Sequence, residues 1–220
     1  MPTATVHLLR HGEVHNPDKV LYGRLPEFHL SALGRAMADR VAGHFAARRD
    51  AGSNIVRLVA SPLTRAQETA APTSSALGLD IVTEPRIIEA ANYFEGLSGI
   101  KGQLRNPRHW PALVNPIRPS WGEPYGEQVA RVMEAVREHR DAAVELGGPG
   151  AEAILVAHQL PIWVTRLAAE NRRLWHDPRK RECTLASITS LEFDGDHLAA
   201  VRYSEPCFDL LANAANIPGA

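Results

Sequence analysis

The sequence predicts an α/β protein: a three-layer α/β/α sandwich with a mostly parallel central sheet and a C-terminal antiparallel edge hairpin. Two apolar runs of strand length, Ile55–Ala60 (I-V-R-L-V-A) and the uninterrupted Ala153–Ala157, read as strands of a sheet covered on both faces. Segments with helical apolar stripes alternate with such runs, the pattern of a sheet covered by helices on both sides. Near the C-terminus, two strand-like runs flank the turn residues Asp194-Gly195-Asp196.

In chain order, Thr5–Leu9 reads as a first short strand. Ser31 is an N-cap candidate, followed by Leu33, Met37, Val41 and Phe45 at four-residue spacing, one stripe of a helix that ends before Gly52. After Ile55–Ala60, Ser61-Pro62 offers an N-cap with proline at the first helical position, and the helix is expected to kink or end at Pro72. Ile81–Thr83 is a short strand candidate. Val129, Val132, Met133, Val136 and Val144 mark a long helix closed by Gly147-Gly148. Ala153–Ala157 is the next strand, and Pro161 is expected to open another helix. Ser187–Phe193 and His197–Tyr203 form the hairpin.

The expected organisation is one domain over residues 1–220, with a proline-rich lid or insert at about 98–125. That insert holds Pro107, Pro111, Pro116, Pro119 and Pro124 with Trp110 and Trp121, and it is too long for an ordinary connection. With 24 Lys and Arg against 25 Asp and Glu, the formal net charge is −1, so no global field holds nucleic acid or an anionic membrane. An apolar content of 45% in 220 residues supports a packed core and excludes wholesale disorder. Cys183 and Cys207 form no C-x-x-C pair and are expected as free thiols. Neither a leader peptide nor a run of roughly 18–20 apolar residues is evident, so a cytoplasmic location is expected. Oligomeric state is left open, with a homodimer among the options.

The chemistry lies at the strand ends. The first strand runs into Arg10-His11-Gly12-Glu13, the second into Ser61-Pro62-Leu63-Thr64-Arg65, and the third into His158-Gln159. Ligands of open α/β sheets bind outside the carboxyl ends of parallel strands. Neighbouring strands would therefore gather two arginines and two histidines around an anion, most simply a phosphate. A neutral imidazole is a nucleophile near neutral pH, and a phosphoryl dianion does not repel it. Gly12 is expected to permit a tight turn behind His11.

At these residues the chain resembles the histidine phosphatase superfamily, phosphoglycerate mutase-like. The resemblance rests on Leu9-Arg10-His11-Gly12-Glu13, on Ala60 through Ala70 (A-S-P-L-T-R-A-Q-E-T-A), on Glu89 ahead of Phe94-Glu95-Gly96, and on Val156-Ala157-His158. These blocks span most of the chain in the family's order. The resemblance implies that His11 carries a transient phosphoryl group, that Arg10, Arg65 and His158 cradle it, and that Glu89 protonates the leaving oxygen and later activates water. It implies no cofactor and no metal. It also implies Asn16 as a phosphate ligand, one residue closer to the R-H-G triplet than in many members. The Glu89–Gly96 stretch is shorter than the common form, and Gln159 stands where many members have glycine, so its side chain lines or crowds the pocket.

Tyr22, Gly23 and Arg24, in the loop after the first strand, fit either a pocket lining, with Arg24 on a second anionic group, or an exposed loop. Arg105, Arg108 and Arg118 carry the same ambiguity. Glu13, Glu84 and Glu95 compete with Glu89 as the acid. His11 and His15 have the spacing of zinc ligands on a helix, but the glycine between them argues against a helix there. The expected reaction is hydrolysis of a phosphomonoester of a small metabolite. The rivals are phosphoglycerate mutase-type transfer, which the character of Arg105–Pro124 disfavours, and non-catalytic phosphate-ligand binding.

Overall fold

The computed structural model describes residues 3–115 and 121–214. β1 (Thr3–Arg10), α1 (Ala32–Asp50), β2 (Asn54–Ala60), α2 (Thr64–Leu77) and β3 (Ile81–Thr83) form the first half. After α3 (Ile100–Gln103) and a 3-10 segment at Pro107–Leu113 come α4 (Tyr125–Gly147), β4 (Ala151–Ala157), α5 (Gln159–Ala169), β5 (Ile188–Asp194) and β6 (His197–Ser204). The six strands form one sheet in the order β3-β2-β4-β1-β5-β6. β3, β2, β4 and β1 run parallel, while β5 and β6 add the antiparallel edge hairpin.

Alternation along the strands divides the core in two. Val6 and Leu8 of β1, with Ala153 and Leu155 of β4, pack against Val132, Val136, Ile162 and Leu167 of α4 and α5. Leu9, Ile154 and Val156 face the opposite way, onto Met37, Val41 and Phe45 of α1 and Ala66 and Ala70 of α2. Both faces of β4 are thus covered, which explains why its stretch Ala153–Ala157 is continuously apolar rather than alternating.

Two local expectations are corrected. α2 begins at Thr64 with Leu63 in the cap position and no side-chain cap, because the Ser61 hydroxyl is engaged by His158. The helix also continues through Pro72 to Gly78, which takes the left-handed conformation. The cost of an internal proline, about 3 kcal/mol, is offset by burial on both sides of it: Ala66, Thr69, Ala70, Thr73 and Leu77 share one packed face. Likewise α5 starts at Gln159, two residues before Pro161. The Ser31 cap is as expected, its hydroxyl accepting from the Gly34 amide at 2.9 Å.

Cys183 and Cys207 are free, buried thiols. Among the described residues no helix is long and apolar enough to cross a membrane. Pro116, Arg118 and Pro119 lie outside the described residues, whereas Arg105 and Arg108 are exposed to solvent.

One buried ion cluster ties the sheet to α1. Glu152 of β4 accepts from His7 Nε2 at 2.9 Å and from Arg48 at 3.0 Å. Burial alone would raise the Glu152 pKa, but the His7 hydrogen bond and the Arg48 charge outweigh it and hold the carboxyl at about 2. A depressed folded-state pKa contributes stability above the ordinary value of 4.5, and that contribution is lost as pH falls toward about 2. Denaturant unfolding of Glu152→Gln against wild type is expected to show a stability deficit at neutral pH that narrows across that acid window. A deficit independent of pH would contradict the assignment.

Candidate active site

The sheet order makes β2, β4 and β1 immediate neighbours, so their carboxyl ends meet. Backbone bonds extend the ladder past the strands: the His11 amide donates to the Ala157 carbonyl at 3.1 Å, and the Ser61 amide to Val156 at 3.0 Å. His11, Ser61 and His158 therefore leave the sheet side by side. The His11 and His158 ring centroids are 5.2 Å apart. Tyr22 lies 6.4 Å from the His11 ring and carries the Arg65 guanidinium 4.7 Å above its own ring centre. His11, His158 and Arg65 are fully buried.

Each group is oriented by its neighbours. His11 Nδ1 lies 2.7 Å from the Gly12 carbonyl, which can only accept, so Nδ1 carries the proton. That bond leaves Nε2 unprotonated, and it has no hydrogen-bond partner among the described residues. His158 Nε2 is 2.7 Å from Ser61 Oγ, and its Nδ1 has no partner among the described residues. With the serine hydroxyl donating, His158 Nδ1–H is left to donate to a ligand. His158 occupies the cap position of α5, yet its side chain caps nothing.

Arg65 donates to the Gly23 and Leu25 carbonyls, and no carboxylate among the described residues pairs with it. A buried guanidinium neutralised by no acid is a site for an anionic ligand. Arg10 donates to the Cys183 carbonyl at 2.7 Å. Burial, then the Arg65 and Arg10 charges, holds the His11 imidazole well below its ordinary range, despite the bond to Gly12. Burial, Arg65 and His11 do the same to His158. Both rings are thus neutral at neutral pH.

Glu89 is buried, accepts from its neighbour's Ala90 amide at 2.8 Å, and lies within electrostatic reach of Arg65, Arg181 and Arg10. Burial raises its pKa against the pull of those charges. Its competitors are committed elsewhere. Glu84 bonds Arg86 and His139, and the Arg86 hydrogen bond leads in lowering it to about 2. Glu13 accepts from Ser31 Oγ, and Glu95 from the Arg24 amide.

The remaining candidates divide between bracing and lining. Asn16 is buried and clamps the Val20 backbone from both ends of its amide. Arg24 is an internal brace: Nε donates to the Glu89 carbonyl at 2.7 Å and Nη2 to Glu123 at 3.0 Å. Gly23 has a φ of +39°, a left-handed conformation, and a Cβ there would lie 2.3 Å from a Glu95 oxygen. Gln159 faces a neighbouring cavity of about 480 Å³, which Gly23 and Glu89 also line.

Three contributors were not picked out from the sequence as site residues. Ser61 orients His158. Arg131 of α4 donates to the Ile88 carbonyl at 2.8 Å and to Glu123, bracing the segment before Glu89. Arg181 reaches Gln159 Oε1 at 3.3 Å. The strand-end rule could have flagged Ser61; nothing in sequence spacing marks the other two.

The role of Gly12 is also corrected. Its φ is not positive; what it provides is close approach, since a Cβ there would sit 2.6 Å from the Gly34 carbonyl. Gly34 is reciprocally pressed, with its Cβ position 2.0 Å from the Glu13 carbonyl. The first turn of α1 therefore packs directly on the backbone that carries His11. Gly34→Ala is expected to cost roughly 1–3 kcal/mol, as overpacking does, and to displace the loop. Thermal unfolding with circular dichroism checks this; an unchanged melting temperature would contradict the contact.

The sequence pattern of the histidine phosphatase superfamily (branch 1) matches residues 6–206. The chain is 52% identical over 209 residues to the uncharacterised protein Rv0525 of Mycobacterium tuberculosis, covering 94% of this chain and 98% of that protein. It is 28% identical over 158 residues to a Yersinia enterocolitica protein named probable phosphoglycerate mutase GpmB, covering 71% and 70% of the two chains. Among solved structures, the mycobacterial glucosyl-3-phosphoglycerate phosphatase Rv2419c superposes with a TM-score of 0.70 at 25% identity, over 92% of this chain and 96% of that one. With its strand ends gathered around His11 and the family pattern running from β1 to beyond β6, the chain belongs to the histidine phosphatase superfamily.

Proposed function

We propose that the protein hydrolyses a phosphomonoester of a small metabolite through a phosphohistidine on His11. The observation that carries this reading is the bond from His11 Nδ1 to the Gly12 carbonyl. It leaves a buried, unprotonated Nε2 between His158 and the arginines. Nε2 attacks phosphorus, the ester P–O bond breaks, and the leaving oxygen takes the proton of Glu89. In the second step the Glu89 carboxylate accepts a proton from water. The water oxygen bonds phosphorus as the P–N bond breaks, which restores His11. Arg10, Arg65 and His158 Nδ1–H stabilise the phosphoryl oxygens in both steps, with no call on a metal.

Glu89 suits this role because burial raises its pKa and so favours the protonated form, while the competing carboxylates are tied up. Asn16 and Arg24 serve through the loop they hold: Arg24 fixes Glu89 by its backbone. In this reading the chain acts as one unit, and Ile100, Leu104, Leu113 and Trp121 of the proline-rich segment wall the substrate space as a lid. Hydrolysis is preferred to mutase chemistry on the superposition of the solved phosphatase over nearly the whole of both chains.

His11→Ala is expected to abolish phosphate release from small phosphate esters, leaving circular dichroism unchanged; wild-type turnover in that variant would end the proposal. Release of inorganic phosphate without isomerisation of phosphoglycerate separates hydrolysis from transfer.

The pH profile should be a bell whose limbs follow the two shifted groups. His11 must be neutral to attack and its pKa is depressed, so activity persists as pH falls through the ordinary imidazole range. Glu89 must be protonated and its pKa is raised, so the alkaline limb lies above the ordinary carboxylate value. Glu89→Gln should lower kcat/KM, which reports phosphoryl transfer to His11, by roughly 10²–10⁴-fold for alkyl esters and less for nitrophenyl phosphate, whose leaving group needs no proton. Equal losses on both substrates would remove Glu89 from the acid role.

A further inference from the structure

Beside the histidine pair lies the cavity of about 480 Å³, the size of a small-molecule site. Gly23, Glu89 and Gln159 line its inner end, and each is joined to the catalytic cluster: Gly23 through Arg65, Glu89 through its charged neighbours, Gln159 as the residue after His158. Because Glu89, the proton donor of the proposed reaction, lines the cavity, the leaving group of an ester on His11 would extend into it.

Its walls are mostly apolar, with Asn92, Tyr125 and Gln128 among them. Leu21 and Phe94 meet Ile100, Leu104, Leu113 and Trp121 from the proline-rich segment. A sugar or a glycerate would set most of its hydroxyls against these apolar side chains without hydrogen bonds, which is unfavourable.

The charges in the lining are not equally satisfied. Glu123 is held by Arg24 and Arg131. Glu89 is the proton donor of the proposed reaction. Arg181 bonds only the neutral groups His176 Nε2, at 2.9 Å, and Gln159 Oε1. Among the described residues it has no carboxylate within ion-pair distance. Burial, opposed by the nearby Glu89 charge, lowers the pKa of this guanidinium. A partly buried guanidinium with neutral partners is completed by a ligand oxyanion.

We propose that the substrate is the phosphate ester of an apolar, ring-sized alcohol bearing a carboxylate, with the ring against the Leu21–Phe94–Leu113 wall and the carboxylate on Arg181. This rests on the phosphatase reading for the reaction, but the pocket's selectivity can be measured without turnover.

The test uses calorimetry on the His11→Ala protein with three probes: glycerol 2-phosphate, 1-naphthyl phosphate, and a 1-naphthyl phosphate carrying a ring carboxylate. The naphthyl ester should bind at least about tenfold more tightly than the glycerol ester, from apolar burial. The carboxylate should add a further gain of about threefold to tenfold from a charge-assisted hydrogen bond. Arg181→Met should cancel that second gain, and Leu104→Asn, at the exposed rim, should shrink the naphthyl-to-glycerol ratio. Equal affinity for the glycerol and naphthyl esters would overturn the proposal. So would an Arg181→Met loss of the same size on all three probes, which would make Arg181 a counter-charge for Glu89. Wild-type turnover of the same esters is the separate arm: selective binding without hydrolysis would sink the phosphatase reading alone, and hydrolysis without selectivity would sink the pocket assignment alone.

Discussion

Crowding Arg10, Arg65 and two imidazoles into a buried site is electrostatically unfavourable, and the rest of the architecture is arranged around that cost. The guanidiniums keep their charge because they cannot shed it. The imidazoles give up theirs, held neutral by burial and by the neighbouring arginines. The same field acts on Glu89 in the opposite sense, yet burial still raises its pKa. An anion entering this pocket meets fixed donors that need little reorganisation, the condition under which electrostatic stabilisation is strongest.

Holding such a cluster requires a rigid frame. The sheet supplies it by making β1, β4 and β2 adjacent, so that His11, His158 and Ser61 are placed by ladder hydrogen bonds rather than by loops. Gly12 and Gly34 let α1 press on the His11 backbone from behind. Glu89 sits on a non-helical segment, and its placement falls to two arginines that grip backbone carbonyls: Arg24 at Glu89 itself and Arg131 at Ile88. Both meet on Glu123, so the loop after β1 and the first turns of α4 are coupled through one carboxylate. Basic residues here serve as scaffold as often as they face ligand.

Much was legible in the chain itself because it rests on local rules. The short strand at Thr5–Leu9, the Ser31 cap, the Met37–Val41–Phe45 stripe and the Gly195 turn each depend on a few neighbouring residues. The convergence of three polar strand ends followed from a general property of parallel sheets, and the rings of His11 and His158 do meet. Local rules misled where a distant partner intervened. Ser61 looked like a cap but bonds His158, ninety-seven residues away. Pro72 signals a kink or an end, and of the two the end is excluded, since packing on both sides carries the helix through it.

The sequence by itself determined the kinds of groups available and the elements that carry them, since apolar periodicity, caps and turns act over a few residues. Only the tertiary structure decided which charges are spent. Arg24 is consumed by Glu123 and the Glu89 carbonyl, Arg131 by the same carboxylate, while Arg65 and Arg181 meet no acid among the described residues. Whether a guanidinium is brace or ligand depends on what lies within about 3 Å of it. That distance is set by contacts between segments far apart in the chain, which spacing along the sequence does not encode.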